Sequence, residues 1–481
     1  MAAGRAASGF ATADPIQHAR ERFERATHAV EIIVDLATVM VAAQLAYFTY
    51  QLFQVGKQAQ YSSTLVHFAA FLFAVVFVFI LDRNGGYRSA NSLLRIRETE
   101  RILRVSGQAF GVVFAVTFFL GHSFPRGVLV FAILFVPLLL VAEKQFIYVL
   151  IRNLHTQGHG VQNVLIYGAG FTGRRLFSAL VRSPKLGLNP VAIVDDDNSL
   201  AGRQVFEYGY KRERSVPVVK GPLTGELIRE HAASLVVVGI PSLSRERLNA
   251  VIAQTLTAQA RVAFVPQLSN GADVLTDYVD IDGVLIASLG AASTKLGYET
   301  AKRVFDFVCV LGLMLVTAPV WAVIAALIRR DSPGPIFFKQ TRVGLQGRMF
   351  RMYKFRSMYV NAPQYDFHPT DADDPRITRV GRWLRRTSLD ELPQLLNILK
   401  GEMSLVGPRP EMPFIVESYD KGHLQRLKVI PGLTGLWQLS ADRAFLIHEN
   451  IHYDLYYIRN RNIFMDLAIL LHTAIFAMRG N

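Results

Sequence analysis

The chain has 481 residues, of which 51% are hydrophobic, and its mean hydropathy is +0.25. This length corresponds to about three domains of roughly 150 residues each, and this hydropathy is high for a soluble protein and favours membrane association. The formal net charge of +14 predicts anionic partners such as phosphates or lipid headgroups, and the single cysteine, Cys309, excludes an intrachain disulfide.

The N-terminal third predicts a polar tail, residues 1–27, and then a four-helix transmembrane unit, residues 28–155. Each of its apolar segments is close to the ~20 residues that cross a bilayer. The segments lie at 28–53, 63–81, 105–121 and 127–151. The loop at 82–104 carries six arginines, whereas the loops at 54–62 and 122–126 carry one lysine or arginine each. The positive-inside rule therefore predicts that both ends of this unit are cytoplasmic.

The stretch NVLIYGAGFTGRRLFSAL predicts a strand, a glycine-rich turn and a helix in the centre of the chain. Gly168, Gly170 and Gly173 are followed by Asp195 at the end of the next apolar run, which matches a dinucleotide-binding fingerprint. The later runs VPVVKG, SLVVVGI, RVAFVPQ and GVLIASLG predict a parallel sheet that continues to about residue 289. Residues 160–290 are therefore predicted to form a Rossmann-like domain.

The ligand of this central domain stays open. A glycine-rich turn can bring a pyrophosphate close to the backbone, or it can simply let a strand and a helix pack together. NAD or another nucleotide is one expectation, but the domain contains no Tyr-x-x-x-Lys pair that would indicate a redox reaction. A bound nucleotide is not expected to be catalytic here.

The segment 302–330 predicts a membrane helix of a second kind. It is apolar from Val304 to Ile328 apart from Asp306, and Pro319 lies past its middle, where it should bend the axis. Basic pairs flank it on both sides: Lys302-Arg303 and Arg329-Arg330. Matching flanks favour a re-entrant helix that returns to the cytoplasmic side over a fifth span. The C-terminal stretch IFMDLAILLHTAIFAM predicts a helix lying in the membrane interface.

Two adjacent acids, Asp390 and Glu391, open the leucine-rich stretch LDELPQLLNILK. The leucine spacing predicts an amphipathic helix that begins near the acids, and Pro393 cannot lie deep in it. Ser388 and Glu391 have the spacing of a capping box, so an ordinary acidic first turn is one interpretation of the pair.

The surroundings of the acids favour chemistry instead. The stretch FFKQTRVGLQGRMFRMYKFRSM interleaves six cations with apolar residues, which predicts strands, and Pro408 and Pro410 should hold Arg409 in one orientation suited to phosphate recognition. Cations keep a carboxylate ionised, as a nucleophile or a metal ligand must be. Carboxylates together with substrate phosphates are the usual ligands of Mg²⁺. Phosphoryl transfer at a membrane surface is the predicted reaction type, with Asp390 and Glu391 in different roles.

Several long motifs in the C-terminal part resemble the bacterial sugar transferases called polyprenyl-phosphate hexose-1-phosphate transferases, the large monotopic phosphoglycosyl transferases. The motifs cover most of residues 302–476 and include KRVFDF, DSPGPIFFKQTRVG, MYKFRSM, GRWLRRTSLDELPQLLNILKGEMSLVGPRPEM, VIPGLTGLWQ and YDLYYIRN. The resemblance implies that residues 296–481 form a membrane-associated α/β-type catalytic domain. The expected fold class is therefore membrane α-helical plus α/β.

The resemblance also implies a reaction. A sugar 1-phosphate would move from a UDP-hexose to undecaprenyl phosphate, releasing UMP and starting an exopolysaccharide, capsule or O-antigen-type glycan. Asp390 would carry the phosphosugar intermediate, Glu391 would assist with Mg²⁺ or with the lipid phosphate, and Pro319 would break the re-entrant helix. Substrate and phosphate contacts would come from Lys354, Arg356, Arg385, Arg409 and Gln438.

The implied location is the cytoplasmic face of a bacterial inner membrane. Expected partners are membrane lipids and other polysaccharide-assembly glycosyltransferases; a homodimer is an open alternative, and no nucleic acid is expected. Ala441-Asp442 stands where many relatives have Gly-Arg, which leaves the nearby sugar or nucleotide contacts and the identity of the hexose undetermined.

Two other functions remain as alternatives. His448-Glu449-x-x-His452 has the spacing of a zinc-protease motif, although no third ligand is marked. A non-enzymatic, nucleotide-sensing membrane scaffold would not need Asp390 or Glu391. The acidic stretch DADD at 371–374 is more typical of a solvated loop than of a metal site.

Overall fold

The computed structural model describes the chain in segments, which are residues 15–54, 61–87, 95–119, 126–182, 187–208, 213–240, 242–264, 274–281, 284–291, 296–362, 374–420, 422–439 and 451–478. It contains two compact units, Met1–Leu268 and Ser269–Asn481. Each unit is described by itself.

The first unit begins with long helices in the region predicted to span the membrane. They are α1 Pro15–Phe53, α2 Ser63–Arg83, α3 Arg95–Phe119 and α4 Arg126–Thr156. Helices α1, α2 and α4 are long and apolar enough to cross a membrane, as predicted, whereas α3 is not among the described helices that meet this condition. The apolar part of α3 begins only at Val105, after a charged first half, and is shorter than the ~20 residues of a typical span. The third predicted span extends into residues 120 and 121, which lie outside the described residues, so its full length stays a prediction.

A mixed six-stranded sheet follows, with strand order β3-β4-β2-β1-β5-β6. The strands are β1 Gln162–Tyr167, β2 Leu188–Asp195, β3 Gln204–Tyr208, β4 Glu213–Lys220, β5 Leu235–Val238 and β6 Arg261–Phe264. The connecting helices are α5 Phe171–Arg182, α6 Gly225–Glu230 and α7 Arg245–Thr257. All neighbouring strands are parallel except β3, which pairs antiparallel with β4 at the edge. The predicted parallel sheet is confirmed for these runs.

The run GVLIASLG does not belong to that sheet. It forms β8, Val284–Ala291, which pairs antiparallel with β7, Val274–Ile281, in a two-stranded hairpin. The prediction of a parallel sheet up to residue 289 was therefore wrong at its end. An apolar run of this length fits either kind of strand, and the short connection between β7 and β8 requires the antiparallel hairpin.

The glycine-rich turn joins β1 to α5 by close backbone packing. Gly168 has φ +113°, a conformation that favours glycine, and a Cβ on Gly173 would lie 1.7 Å from the Gly168 carbonyl oxygen. A Cβ on Gly170 would meet no atom of the described chain within 4 Å. Asp195 Oδ2 accepts a hydrogen bond from Ala169 N at 2.6 Å, so the acid also holds this turn. At least two members of the fingerprint thus have a packing or turn-stabilising role.

The second unit contains the remaining helices and short strands. The helices are α8 Leu296–Asp331, α9 Arg379–Arg386, α10 Gln394–Lys400, α11 Pro413–Val416, α12 His452–Asn460 and α13 Ile463–Met478. The strands are β9 Phe337–Val343, β10 Met349–Phe355, β11 Ser404–Val406 and β12 Gly432–Thr434. The stretch of interleaved cations forms strands, as predicted. The structure pairs β9 and β10 in an antiparallel hairpin, while β11 and β12 pair in parallel.

Helix α8 packs against this unit at both of its ends. Near the start, Ser404 Oγ donates to Asp306 Oδ2 at 2.6 Å, and Arg303 donates to two carbonyl oxygens at the end of α10. Near the end, Ile324 and Ile328 lie in a core cluster with Phe355 and Leu384. Large apolar side chains between the two ends are exposed, including Leu315 and Val316. The backbone stays helical through Pro319, so the break that the resemblance implied there is not seen.

Candidate active site

Lys354 lies between the two acids that the sequence singled out. Its Nζ is 2.8 Å from Glu391 Oε1 and 3.9 Å from Asp390 Oδ2. Strand β10 carries this lysine, and the antiparallel pairing with β9 places it opposite Phe338. The side chain is almost completely buried, so its charge acts on the acids with little screening by water.

The acids occupy a short 3₁₀ helix, Leu389–Glu391, rather than the first turn of an α-helix. The predicted capping box is wrong: Ser388 has φ +55°, a left-handed conformation, and its side chain makes no capping hydrogen bond within the described residues. Helix α10 begins later, at Gln394, directly after Pro393, as expected for a residue that cannot lie inside a helix. The acids therefore belong to a separate turn that faces Lys354.

Asn397 fixes the distance between that turn and the hairpin. Its Oδ1 accepts from Tyr353 N at 3.0 Å, and its Nδ2 donates to Arg351 O at 2.7 Å. The side chain is fully buried, so a lost partner would leave an unsatisfied polar group. Because Tyr353 precedes Lys354, this amide aligns α10 with β10. Sequence reasoning missed Asn397 because it lies within a leucine-rich helix and resembles an ordinary polar position.

Arg409 approaches the same carboxylate from a different part of the chain. Its Nη2 lies 3.3 Å from Glu391 Oε1, the oxygen that Lys354 also contacts. Arg409 follows β11 and lies between Pro408 and Pro410, so the sequence-predicted cation does reach the predicted acids. Arg385, in the last turn of α9, is near enough for its charge to lower the pKa of Asp390.

The two carboxyl groups differ in their electrostatics. Burial raises the pKa of Asp390 above its ordinary value, against the lowering effect of Lys354, and the Glu391 charge raises it further. Burial would also raise the pKa of Glu391, but Lys354 and Arg409 outweigh it and hold the pKa of that carboxyl well below its usual range. The prediction that cations keep the acid ionised is thus confirmed for Glu391. For Asp390 the shift is in the opposite direction, because only 8% of this residue is exposed.

Two of the predicted substrate contacts are not brought to the acids. Arg356 is buried at the end of α8, where it donates to Ser332 O at 2.7 Å and to Pro333 O at 2.9 Å. These contacts indicate that it joins the end of β10 to the end of α8. Gln438 lies in a 3₁₀ helix, Trp437–Leu439, and donates to Leu433 O at 3.4 Å.

Several sequence candidates fall outside the described residues. They are Asp371, Asp373, Ala441, Asp442, His448 and Glu449. His452 begins α12, but its side chain is not described. Within the described part of the chain, no group of three or more His, Cys, Asp or Glu side chains could hold a metal ion. The zinc-protease alternative therefore stays a prediction without structural support.

Comparison with known proteins shows which protein families match the chain around this site. The model of the family described as "Bacterial sugar transferase" matches residues 297–480, and the model described as "CoA-binding domain" matches residues 82–266. The acids, Lys354 and Arg409 all lie within the first match.

Full-length relatives extend the similarity over most of the chain. The UDP-glucose:undecaprenyl-phosphate glucose-1-phosphate transferase of Xanthomonas campestris pv. campestris is 31% identical over 352 residues, which are 70% of this chain and 70% of that protein. The undecaprenyl-phosphate galactose phosphotransferase of Salmonella typhimurium is 30% identical over 370 residues, 73% of each chain. A UDP-glucose:undecaprenyl-phosphate glucose-1-phosphate transferase of Escherichia coli is 29% identical over 328 residues, 66% of this chain and 68% of that one. Because two of these relatives are at least 30% identical over 70% or more of their own length, this chain belongs to the bacterial sugar transferase family.

Proposed function

We propose that this protein transfers a sugar 1-phosphate from a UDP-hexose to undecaprenyl phosphate and thereby starts the assembly of a glycan. The observation that carries the proposal is the pair of acids held between Lys354 and Arg409. Relatives named as glucose and as galactose phosphotransferases match the chain at similar identity, so the hexose is left open.

Asp390 is the proposed nucleophile. A carboxylate oxygen of Asp390 attacks the phosphorus that bears the sugar, the bond from that phosphorus to the bridging oxygen breaks, and UMP leaves with the electron pair. An oxygen of undecaprenyl phosphate then attacks the same phosphorus and displaces Asp390, which leaves a diphosphate-linked lipid and regenerates the carboxylate. A buried nucleophile gains reactivity because it is poorly hydrated, provided that a nearby cation favours its ionised form.

The two cations have a different role from the nucleophile. Lys354 and Arg409 already share one oxygen of Glu391, so they form a positive site next to Asp390. Negatively charged phosphate oxygens fit that site, and fixed charges of this kind stabilise the charge that develops during transfer. Glu391 orients both cations while the substrate is absent and stays ionised because its pKa is held low.

A magnesium ion would fit the same acids. Both cations contact Oε1 of Glu391, which leaves Oε2 of Glu391 and the Asp390 carboxylate as candidate ligands. Mg²⁺ commonly takes one or two carboxylates together with substrate phosphates. Asp390 and Glu391 would hold the ion, and when bound it would neutralise charge on the diphosphate.

Helix α8 is proposed to be re-entrant, which places the catalytic unit on the cytoplasmic face of the inner membrane. A straight helix would separate residues 303 and 328 by about 38 Å at ~1.5 Å per residue. Both ends nevertheless lie close to the short segment 389–399: Arg303 donates to Ile398 O and Leu399 O, and Leu389 and Leu392 pack against the core cluster that contains Ile328. That segment extends only about 15 Å as a helix, and side-chain reach makes up only part of the difference. A bend near Pro319 would bring the two ends together.

The central sheet is proposed to be Rossmann-like. Taken alone, its parallel strands follow the order 3-2-1-4-5, with a reversal next to the glycine-rich turn where nucleotides bind in such folds. Both oxygens of Asp195 accept backbone N–H groups, from Ala169 and from Asp197, so a ribose would have to share this carboxylate with the turn. A nucleotide such as NAD in this domain is therefore a secondary proposal.

The function is tested by measuring UMP release from a panel of UDP-sugars with undecaprenyl phosphate and Mg²⁺. We expect turnover with at least one UDP-hexose, and we expect Asp390→Asn and Glu391→Gln each to lower it by about 10²-fold or more, the scale for losing a catalytic group. Asp420→Asn is the matched control, because that acid is mostly exposed and pairs with His423. Near-normal turnover in both site variants would refute the mechanism.

The position of Lys354 predicts a shift in the pH profile. Lys354 lowers the pKa of Asp390, which must be ionised to attack, so kcat/KM should fall as the pH drops through that pKa. Lys354→Met removes the lowering effect, and the acidic limb should move to higher pH in addition to the loss of rate. Lys339→Met, an exposed lysine on the neighbouring strand β9, should leave the limb in place. An unmoved limb in Lys354→Met would contradict the proposed electrostatics.

The re-entrant proposal predicts that both ends of α8 face the cytoplasm. In a Cys309→Ala background, Ala301→Cys and Arg330→Cys should react with an impermeant thiol reagent in inverted vesicles and be protected in intact cells. Val316→Cys, which lies in the exposed apolar middle of α8, should stay unreactive in both preparations because it faces lipid. Reaction of one end in intact cells would show a spanning helix.

A further inference from the structure

We propose that two buried arginines, Arg342 and Arg426, are positioning residues that hold the Pro-Arg-Pro segment, residues 408–410, so that Arg409 reaches the active site. The inference rests on the proposed function, because the role of Arg409 is defined by it. Neither arginine has a described contact with Asp390 or Glu391. Arg342 lies on β9, and Arg426 lies in a 3₁₀ helix, His423–Lys428.

The backbone of the Pro-Arg-Pro segment is held through its carbonyl oxygens. Prolines have no N–H group, so Pro408 and Pro410 cannot donate to a neighbouring strand, and only their carbonyl groups can be tied. Arg409 O accepts from Arg426 Nη2 at 3.0 Å, and Pro410 O accepts from Arg342 Nη1 at 3.2 Å. The two arginines therefore hold consecutive carbonyl groups.

Backbone groups hold the residues on either side in the same way. Pro408 O accepts from Gly432 N at 2.8 Å, and Glu411 O accepts from Val343 N at 3.0 Å. Four carbonyl groups in a row, from residue 408 to residue 411, are thus hydrogen-bonded. With its backbone fixed on the carbonyl side, the Arg409 side chain is presented toward Glu391.

Arg426 is suited to this task because its guanidinium serves three partners at once. Its Nε donates to Asp454 Oδ2 at 2.7 Å, its Nη1 contacts the Tyr419 hydroxyl, and its Nη2 donates to Arg409 O. Only 4% of the residue is exposed. A lysine keeps the charge but lacks the planar guanidinium, so it could not contact Asp454, Tyr419 and Arg409 O at the same time.

Arg342 is held in a comparable way on the other side. Its Nε and Nη2 both donate to Gln340 Oε1, at 3.1 and 2.7 Å, which leaves Nη1 directed at Pro410 O. The Glu411 carboxylate lies 4.0 Å from Arg342 and 3.9 Å from Arg426, and it balances their charges. A buried set of ion pairs is seldom more stabilising than apolar packing, so its value here is the fixed geometry it gives to the segment.

The first test measures the segment itself, without reference to turnover. Hydrogen exchange of the full-length protein in nanodiscs, followed by mass spectrometry, should show about 10-fold faster exchange for Arg426→Lys and Arg342→Lys in peptides that contain Val343 or Gly432, whose N–H groups donate to Glu411 O and Pro408 O. Peptides from β10 and α10 should be unchanged, which shows that the fold is retained. Tyr419→Phe removes a single hydroxyl and should produce a smaller effect in the same peptides. Unchanged exchange in the peptides that contain Val343 and Gly432 would overturn the proposal.

The second test asks whether the arginines act through Arg409. Arg426→Lys should lower kcat/KM by about 10- to 10²-fold, the cost expected from a small misplacement of a binding group. In an Arg409→Ala background the same substitution should have little further effect, because the group that it positions is gone. Arg376→Lys, which alters a bidentate pair with Asp374, is the control for the exchange of an arginine for a lysine.

The outcomes separate the two proposals. Full additivity of Arg426→Lys and Arg409→Ala would overturn the positioning role, because the arginine would then act independently of Arg409. A wild-type protein without turnover on any UDP-sugar would refute the proposed function, and the exchange measurement would then decide the role of the two arginines alone.

Discussion

Buried carboxylates require cations beside them, and the catalytic unit is organised around this requirement. Asp390 and Glu391 are adjacent in the chain; Asp390 is buried and Glu391 is half-buried, and unpaired charge in such surroundings would be costly. Lys354 bridges them from a strand, and Arg409 completes the group from a loop that follows another strand. Four charges thus gather from three separate parts of the sequence, and each part of the fold must be placed accurately for them to meet.

The remaining contacts supply that accuracy. Asn397 aligns the helix behind the acids with the strand that carries Lys354, and Arg303 of α8 binds the carbonyl groups at the other end of that helix. Arg356 ties the end of α8 to β10. Helix α8, which is long and apolar enough to cross a membrane, is therefore part of the scaffold of the site. If α8 lies in a membrane as proposed, a site built on this helix can receive a lipid phosphate from the bilayer and a nucleotide sugar from the water.

Much of this arrangement could be predicted from the sequence, and the predictions that were wrong have physical causes. Motifs and charge patterns placed the acids, Lys354 and Arg409 together, because rare residue types in a fixed order carry strong information. A local pattern failed where tertiary contacts decide the conformation: Ser388 adopts a left-handed conformation instead of capping a helix. The apolar run at 284–291 pairs in a hairpin because hydrophobicity alone does not specify a partner strand. Arg426 and Asn397 were not predicted, since their roles depend on carbonyl groups that the sequence does not distinguish.

The claim that Asp390 is the nucleophile is tested most directly by mass spectrometry of the enzyme mixed with a UDP-sugar that supports turnover, without undecaprenyl phosphate. The account predicts release of up to one UMP per protein and a mass increase equal to one phosphosugar, located by peptide mapping on Asp390. Asp390→Asn should show neither, and addition of undecaprenyl phosphate should remove the modification from the wild-type protein. An adduct on another residue would contradict the account, as would full turnover in which UMP is released only when the lipid phosphate is present and no adduct forms.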